Sequence, residues 1–162
     1  MTSYQVGVSA EGFAAALFAR AGYHVSVQYG ANQPGYDLIV EKNQKAHLIS
    51  VEGSQDGSWG LTQSFLSNAD YHGAIETWLR KHGEALIFCF VQFKDKGLSD
   101  MPDVYLAPAS EVAAQMRASR GGLGDTILWV TKSWKSGKGR GASDKIPDQW
   151  RFSKARIDQL TA

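Results

Sequence analysis

Lys45-Ala-His-Leu-Ile-Ser-Val-Glu-Gly-Ser-Gln-Asp-Gly-Ser-Trp59 opens as a β-strand and ends in a small, polar, glycine-rich loop. Ala46 to Glu52 reads as the strand, with Glu52 at its last position and Ser50 two residues earlier. Residues two apart share a face of a strand. Leu48, Ser50 and Glu52 therefore point one way, and His47, Ile49 and Val51 the other. A carboxylate at the end of so apolar a strand calls for a compensating charge or a chemical task.

Working outward, Tyr36 to Glu41 is a second strand, and Lys42-Asn-Gln-Lys45 is a short turn that returns the chain antiparallel. Such a hairpin brings Asp37 beside residues 50–52. Upstream, Tyr23 to Tyr29 alternates as a strand and residues 30–35 (GANQPG) punctuate it as a turn. Ser9 to Gly22 reads as an alanine-rich helix capped by Ser9 and stopped by Gly22, with Glu11 in its first turn. Downstream come a helix over 68–82, an apolar strand over 85–93, a strand at 103–107, and a helix after Ser110. A late strand over 126–131, a basic Gly/Ser loop at about 132–146 and a final helix over 152–160 complete the chain. An antiparallel hairpin followed by α/β alternation predicts an α/β fold, a mixed β-sheet flanked by helices on both faces, in a single domain spanning 1–162.

Composition narrows the classes of function. With 43% hydrophobic and 20% charged residues, the 162-residue chain has the make-up of a globular protein. The longest apolar run, Ala85 to Phe93, is too short to cross a membrane, so no membrane association is expected. The start of the chain has no basic segment followed by an apolar one, and the lone Cys89 permits no internal disulfide, which together point to a cytoplasmic location. Cys89 lies inside an apolar run and reads as a buried small hydrophobe. The net charge of +1 is unevenly distributed. Residues 131–162 carry eight basic and three acidic groups, net +5, against −4 for the remainder. That segment suits either a phosphate backbone or a solvated loop.

Asp37, Ser50 and Glu52 converge at the open end of the hairpin, and Glu11 reaches them if the first helix packs on the sheet. Gathered carboxylates repel unless a cation neutralises them, and an all-oxygen donor set suits Mg²⁺, Mn²⁺ or Ca²⁺ rather than zinc.

This pattern resembles the PD-(D/E)xK nuclease superfamily, in its Holliday-junction-resolvase and restriction-endonuclease-like branch. Glu11 stands where that family has its helical acid, Asp37 in Gly35-Tyr-Asp-Leu-Ile39 stands at the strand Asp, and Ser50-Val-Glu52 occupies the acidic-x-Lys tripeptide. The resemblance covers roughly residues 5–95. It implies a restriction-endonuclease-like sheet, Mg²⁺ or Mn²⁺ held by Asp37 and Glu52 with Glu11 near, and hydrolysis of DNA phosphodiesters. Two positions depart from the pattern: Ser50 replaces an acid, and Glu52 replaces the lysine that orients the attacking water. Glu52 is then either a metal ligand or the successor of a lost catalytic lysine. The latter implies an inactive DNA-binding or protein-interaction module. Gln55 is the candidate for holding a water or phosphate. Junction resolvases act as dimers, so a homodimer or a protein partner belongs to the same expectation.

For nucleic acid, Trp59 in the loop is a candidate for stacking on a base, with Lys135, Lys138, Arg140 and Lys145 as phosphate contacts. The alternative for Trp59 is a hydrophobic plug beneath the loop. Trp134 and Trp150 flank the basic loop.

Overall fold

The computed structural model describes residues 1–28 and 35–162. Tyr29 and most of the expected turn at 30–35 lie outside the described residues. Helix α1 (Ser3–Arg20) leads into strands β1 (His24–Val27), β2 (Leu38–Lys42), β3 (Lys45–Ser54) and β4 (Ser58–Gly60). Helix α2 (Tyr71–His82), β5 (Ile87–Gln92), β6 (Asp103–Pro108) and α3 (Ala109–Gly122) follow. The chain closes with β7 (Ile127–Trp129), β8 (Thr131–Ser133), β9 (Ser143–Lys145) and α4 (Lys154–Thr161). Among the described residues no helix is long and apolar enough to cross a membrane.

Five of these strands form one mixed sheet in the order β1-β2-β3-β5-β6. The β1–β2, β2–β3 and β5–β6 pairs are antiparallel, whereas β3 and β5 run parallel. The β2–β3 turn is two residues long, and Asn43 and Gln44 both have positive φ (53° and 63°). That is the type I′ geometry whose twist matches the flanking strands. It fixes the register as Lys42 opposite Lys45 and Leu38 opposite Ile49.

The sheet is covered on both faces, as the α/β alternation predicts. On one face α1 lays Ala10, Ala14 and Phe18 against Leu38, Val40, Ile49, Cys89 and Leu106. On the other, Phe88, Phe90, Tyr105 and Ala107 pack under α2 and α3 through Ile75, Trp78, Val112 and Met116. Strand β5, buried along its whole length, is the central apolar plank of both layers. Cys89 lies within it, and burial pushes its thiol pKa up, which suits an inert packing role.

Several local expectations are corrected. Helix α1 begins at Ser3 rather than after Ser9, because Thr2 and Gln5 form a reciprocal capping box. Glu11 therefore sits mid-helix and not in its first turn. Strand β3 continues past Glu52 to Ser54, since β5 supplies a ladder as far as Ser54 opposite Gln92. Gly53 permits this: a Cβ there would lie 2.9 Å from both Ala10 Cβ and Val6 Cγ1 of α1. Helix α2 starts at Tyr71, capped by Asp70. The late strand divides: β7 pairs with β4 in a separate ribbon, and β8 pairs with β9 within the basic segment.

Candidate functional site

Strand β2 begins at Leu38 while β3 runs on beyond its partner, so the β2 side of β3 is open after Ile49. Asp37 stands at that opening. Its backbone N–H donates to the Ile49 carbonyl (2.8 Å), and its carboxylate Oδ2 accepts the Val51 N–H (2.6 Å). A side chain thus replaces a ladder bond where the strands part, satisfying an edge N–H and fixing the carboxylate in place. The register puts Asp37 beside Ser50, as the two-residue periodicity requires.

Glu52 lies two residues further along β3, half-buried. Its pKa is raised to about 7, first by burial and second by repulsion from Asp37. Burial also raises Glu11, again with a contribution from Asp37. Asp37 is thus the member whose charge acts on both of the others. Ser50 is half-buried on the strand between them. Among the described residues no three His, Cys, Asp or Glu side chains stand together as a group that could hold one ion. The expected three-carboxylate cluster is therefore looser than the sequence suggests, because Glu11 comes from the third turn of a helix packed on the opposite face.

The fit to a cation follows from these contacts. Mg²⁺ keeps several of its waters and is often bound through only one or two carboxylates. Asp37, with one oxygen engaged by Val51, and Glu52 would be such a pair, and a cation would offset both the burial and the Asp37 repulsion that raise Glu52. The same residues do not fit an all-protein cage.

An open groove of about 420 Å³ runs beside the site, lined by Ser3, Gly7, Glu52, Gln55, Ser58 and Trp59 among others. Gln55 is in it, but its side chain is turned to Met1: Nε2 donates to the Met1 carbonyl (2.8 Å) and Oε1 accepts from the Met1 amine (3.2 Å). Beyond β3, Asp56 Oδ1 accepts from Ser54, the Ser58 hydroxyl and the Ser58 N–H, which holds the turn into β4. These bonds keep the Asp56 pKa low despite some burial.

Trp59 is the plug, not the stacking platform. It is 3% exposed, packs on Phe90 and Tyr105, and donates its indole N–H to the Glu52 carbonyl (3.0 Å). Trp150 is likewise buried. Both rings are drawn inward because the sheet's second face needs large apolar groups to fill the space beneath the loops.

The basic segment also looks different in three dimensions. Arg156 is buried, bonding the Leu106 carbonyl, Gln159 and Glu111 (2.6 Å). Lys145 pairs with Asp148, Arg151 with Asp103, and Lys154 with Asp158. Of the four proposed phosphate contacts, Lys145 is thus the one with a carboxylate partner. Lys135, Lys138 and Arg140 are exposed at the tip of the β8–β9 hairpin. Beside them Trp134, which the sequence placed at the edge of the basic loop, forms one cation–π cluster with Trp129, Lys132, Arg120 and Tyr71. The Trp-x₂-Lys-x-Trp spacing at 129–134 was its only sequence signal, and Arg120 and Tyr71 gave none.

Comparison with known proteins brings no match: no family model, no curated protein and no solved structure is significantly similar to this chain.

Proposed function

We propose that this chain is a divergent nuclease-like domain of the restriction-endonuclease-like fold, in which Asp37 and Glu52 hold a divalent cation, Mg²⁺ or Mn²⁺, against a DNA phosphodiester. The observation that carries this reading is the pairing of two carboxylates at a strand opening, one fixed by the Val51 N–H and the other raised to about 7 beside it. The antiparallel β1–β2–β3 unit, the parallel β3–β5 step and α1 across the hairpin support the same reading.

When bound, the cation would polarise the phosphate and lower the pKa of an attacking water. Asp37 orients one ligand oxygen rigidly. Glu52 carries the proton that must leave for the ion to enter, and the neighbouring Ser50 hydroxyl can donate to a phosphate oxygen. Glu11 adds negative charge from α1 that favours the cation at longer range.

The replacement of the motif lysine by Glu52 favours a second reading, in which the same fold binds DNA or a protein partner without cleaving. Incubating branched and linear DNA with the protein in Mn²⁺ separates them. Cleavage that Asp37→Asn abolishes supports the first reading. Absence of cleavage in the wild type, with cleavage gained by Glu52→Lys, supports the second.

A further inference from the structure

Helix α3 ends in a kink at which Ser119 leaves helical geometry and Arg120 takes a left-handed conformation (φ 57°, ψ 37°). The β8–β9 hairpin is fastened to this kink through Asp144. Its carboxylate accepts the Ser119 hydroxyl (2.7 Å), the Trp134 indole N–H (2.6 Å) and the Arg120 backbone N–H (3.3 Å). Gly139 lets the hairpin tip lie on Arg120, since a Cβ there would sit 3.1 Å from Arg120 Cβ. Gln115 adds a bond to the Lys145 carbonyl (2.9 Å). The hairpin is a docked element rather than a loose loop.

The guanidinium held at this joint is unusual. Its Cζ lies 5.0 Å from the Tyr71 ring centre and 5.2 Å from that of Trp134. Among the described residues it makes no ion pair and no side-chain hydrogen bond, and its Nε is buried without a partner. Arginine carries five N–H donors in a planar fork, and donors taken out of water are nearly always satisfied. Here the aromatic rings hold the charge in place and leave the fork unused. Beside it, Lys132 lies 4.5 Å from the Trp129 ring centre and 5.3 Å from that of Trp134, and among the described residues it too makes no ion pair. The Trp129 indole N–H is spent on Asp125 (3.0 Å). From this joint Lys135, Lys138 and Arg140 extend along the exposed tip.

We propose that Arg120, held over Tyr71 and Trp134, is a phosphate receptor, and that with Lys132, Lys135, Lys138 and Arg140 it forms a track for a nucleic-acid backbone. A planar fork with free donors matches a phosphate oxygen pair. A line of unpaired cations suits a linear polyanion with regularly spaced charges. With cations already over Trp129 and Trp134, contact is to the backbone rather than to stacked bases, so binding is independent of sequence. This shares with the proposed function only its nucleic-acid partner and needs no carboxylate chemistry.

The test is binding of a fluorescently labelled 20-bp duplex, measured in EDTA as NaCl rises from 50 to 200 mM. Five engaged cations give a slope of log affinity against log salt of about −4.5, or about a 500-fold loss over that range. Arg120→Asn keeps a residue that tolerates the left-handed backbone. It should weaken binding about 10-fold and reduce the slope by about 0.9. Arg120→Lys should keep the slope and lose affinity, and Lys145→Gln should change neither. Circular dichroism and melting confirm that each variant is folded. No binding at 50 mM salt, or a folded Arg120→Asn protein with wild-type affinity and slope, overturns the proposal. Equal competition by polyglutamate would reassign the track to an acidic protein and overturn it too. Because EDTA removes the cation, a failure of the Asp37–Glu52 reading leaves these results unaffected.

Discussion

Replacing Glu52 by glutamine tests whether burial, helped by the charge of Asp37, holds a proton on Glu52. In the folded protein Glu52 has a pKa near 7, against an ordinary value of 4.5. Between these pH values the native state keeps a proton that the unfolded chain has released, so stability falls as pH rises through the window. The difference corresponds to about 3 kcal/mol lost between pH 4.5 and pH 7, at 1.36 kcal/mol per pH unit. Glutamine cannot ionise, so Glu52→Gln should lie within about 1 kcal/mol of wild-type stability at pH 5 and be more stable by about 3 kcal/mol at pH 8. For a domain of this size that is a rise of about 6–12 °C in melting temperature. The comparison must be made in EDTA, since a cation would stabilise the ionised form. Burial lowers the pKa values of His47 and His82, whose contribution therefore runs in the opposite direction. Both histidines are present in the two proteins, and the difference between the curves isolates Glu52. Denaturant unfolding at four pH values gives the result directly. Curves for the two proteins that stay parallel from pH 5 to 8 would refute the raised pKa of Glu52.

Four further outcomes follow from the packing. Gly53→Ala forces a methyl group to 2.9 Å from Ala10 and Val6 and should cost about 1–3 kcal/mol, read by urea unfolding. Trp59→Ala opens a cavity against Phe90 and Tyr105 and should destabilise by about 3–5 kcal/mol. Trp59→Phe, if folded, should leave DNA affinity unchanged, whereas a base-stacking role would make it weaken. Arg156→Met strips Glu111 and the Leu106 carbonyl of a buried partner and should cost about 3 kcal/mol in the same assay.

The β2–β3 hairpin was the part of the fold most legible in the sequence, because period-2 alternation and a two-residue turn leave few registers open. That register alone puts Asp37 beside Ser50. The start of α1 was hidden because a Thr2–Gln5 capping box is a weak signal next to the alanine run that follows Ser9. The last two residues of β3 were hidden for a tertiary reason: Gly53 looks like a loop glycine until α1 is known to press on it. Trp59, in a loop-like stretch, is buried only because β4 finds β7 some seventy residues later. The paired fates of Lys145, Arg151, Lys154 and Arg156 were invisible to a charge count, which sees eight basic groups where half are already paired with carboxylates. Arg120 was the least legible residue, since its role depends on a left-handed backbone and on rings at 71 and 134.

Calorimetric titration of Mn²⁺ into the wild type and Asp37→Asn, at pH 6 and pH 8, bears most directly on the proposed centre. One site should be seen in the wild type, tighter at pH 8 because the Glu52 proton no longer competes, and none in the variant. No heat at millimolar Mn²⁺, or equal binding by Asp37→Asn, would contradict a cation held by Asp37 and Glu52.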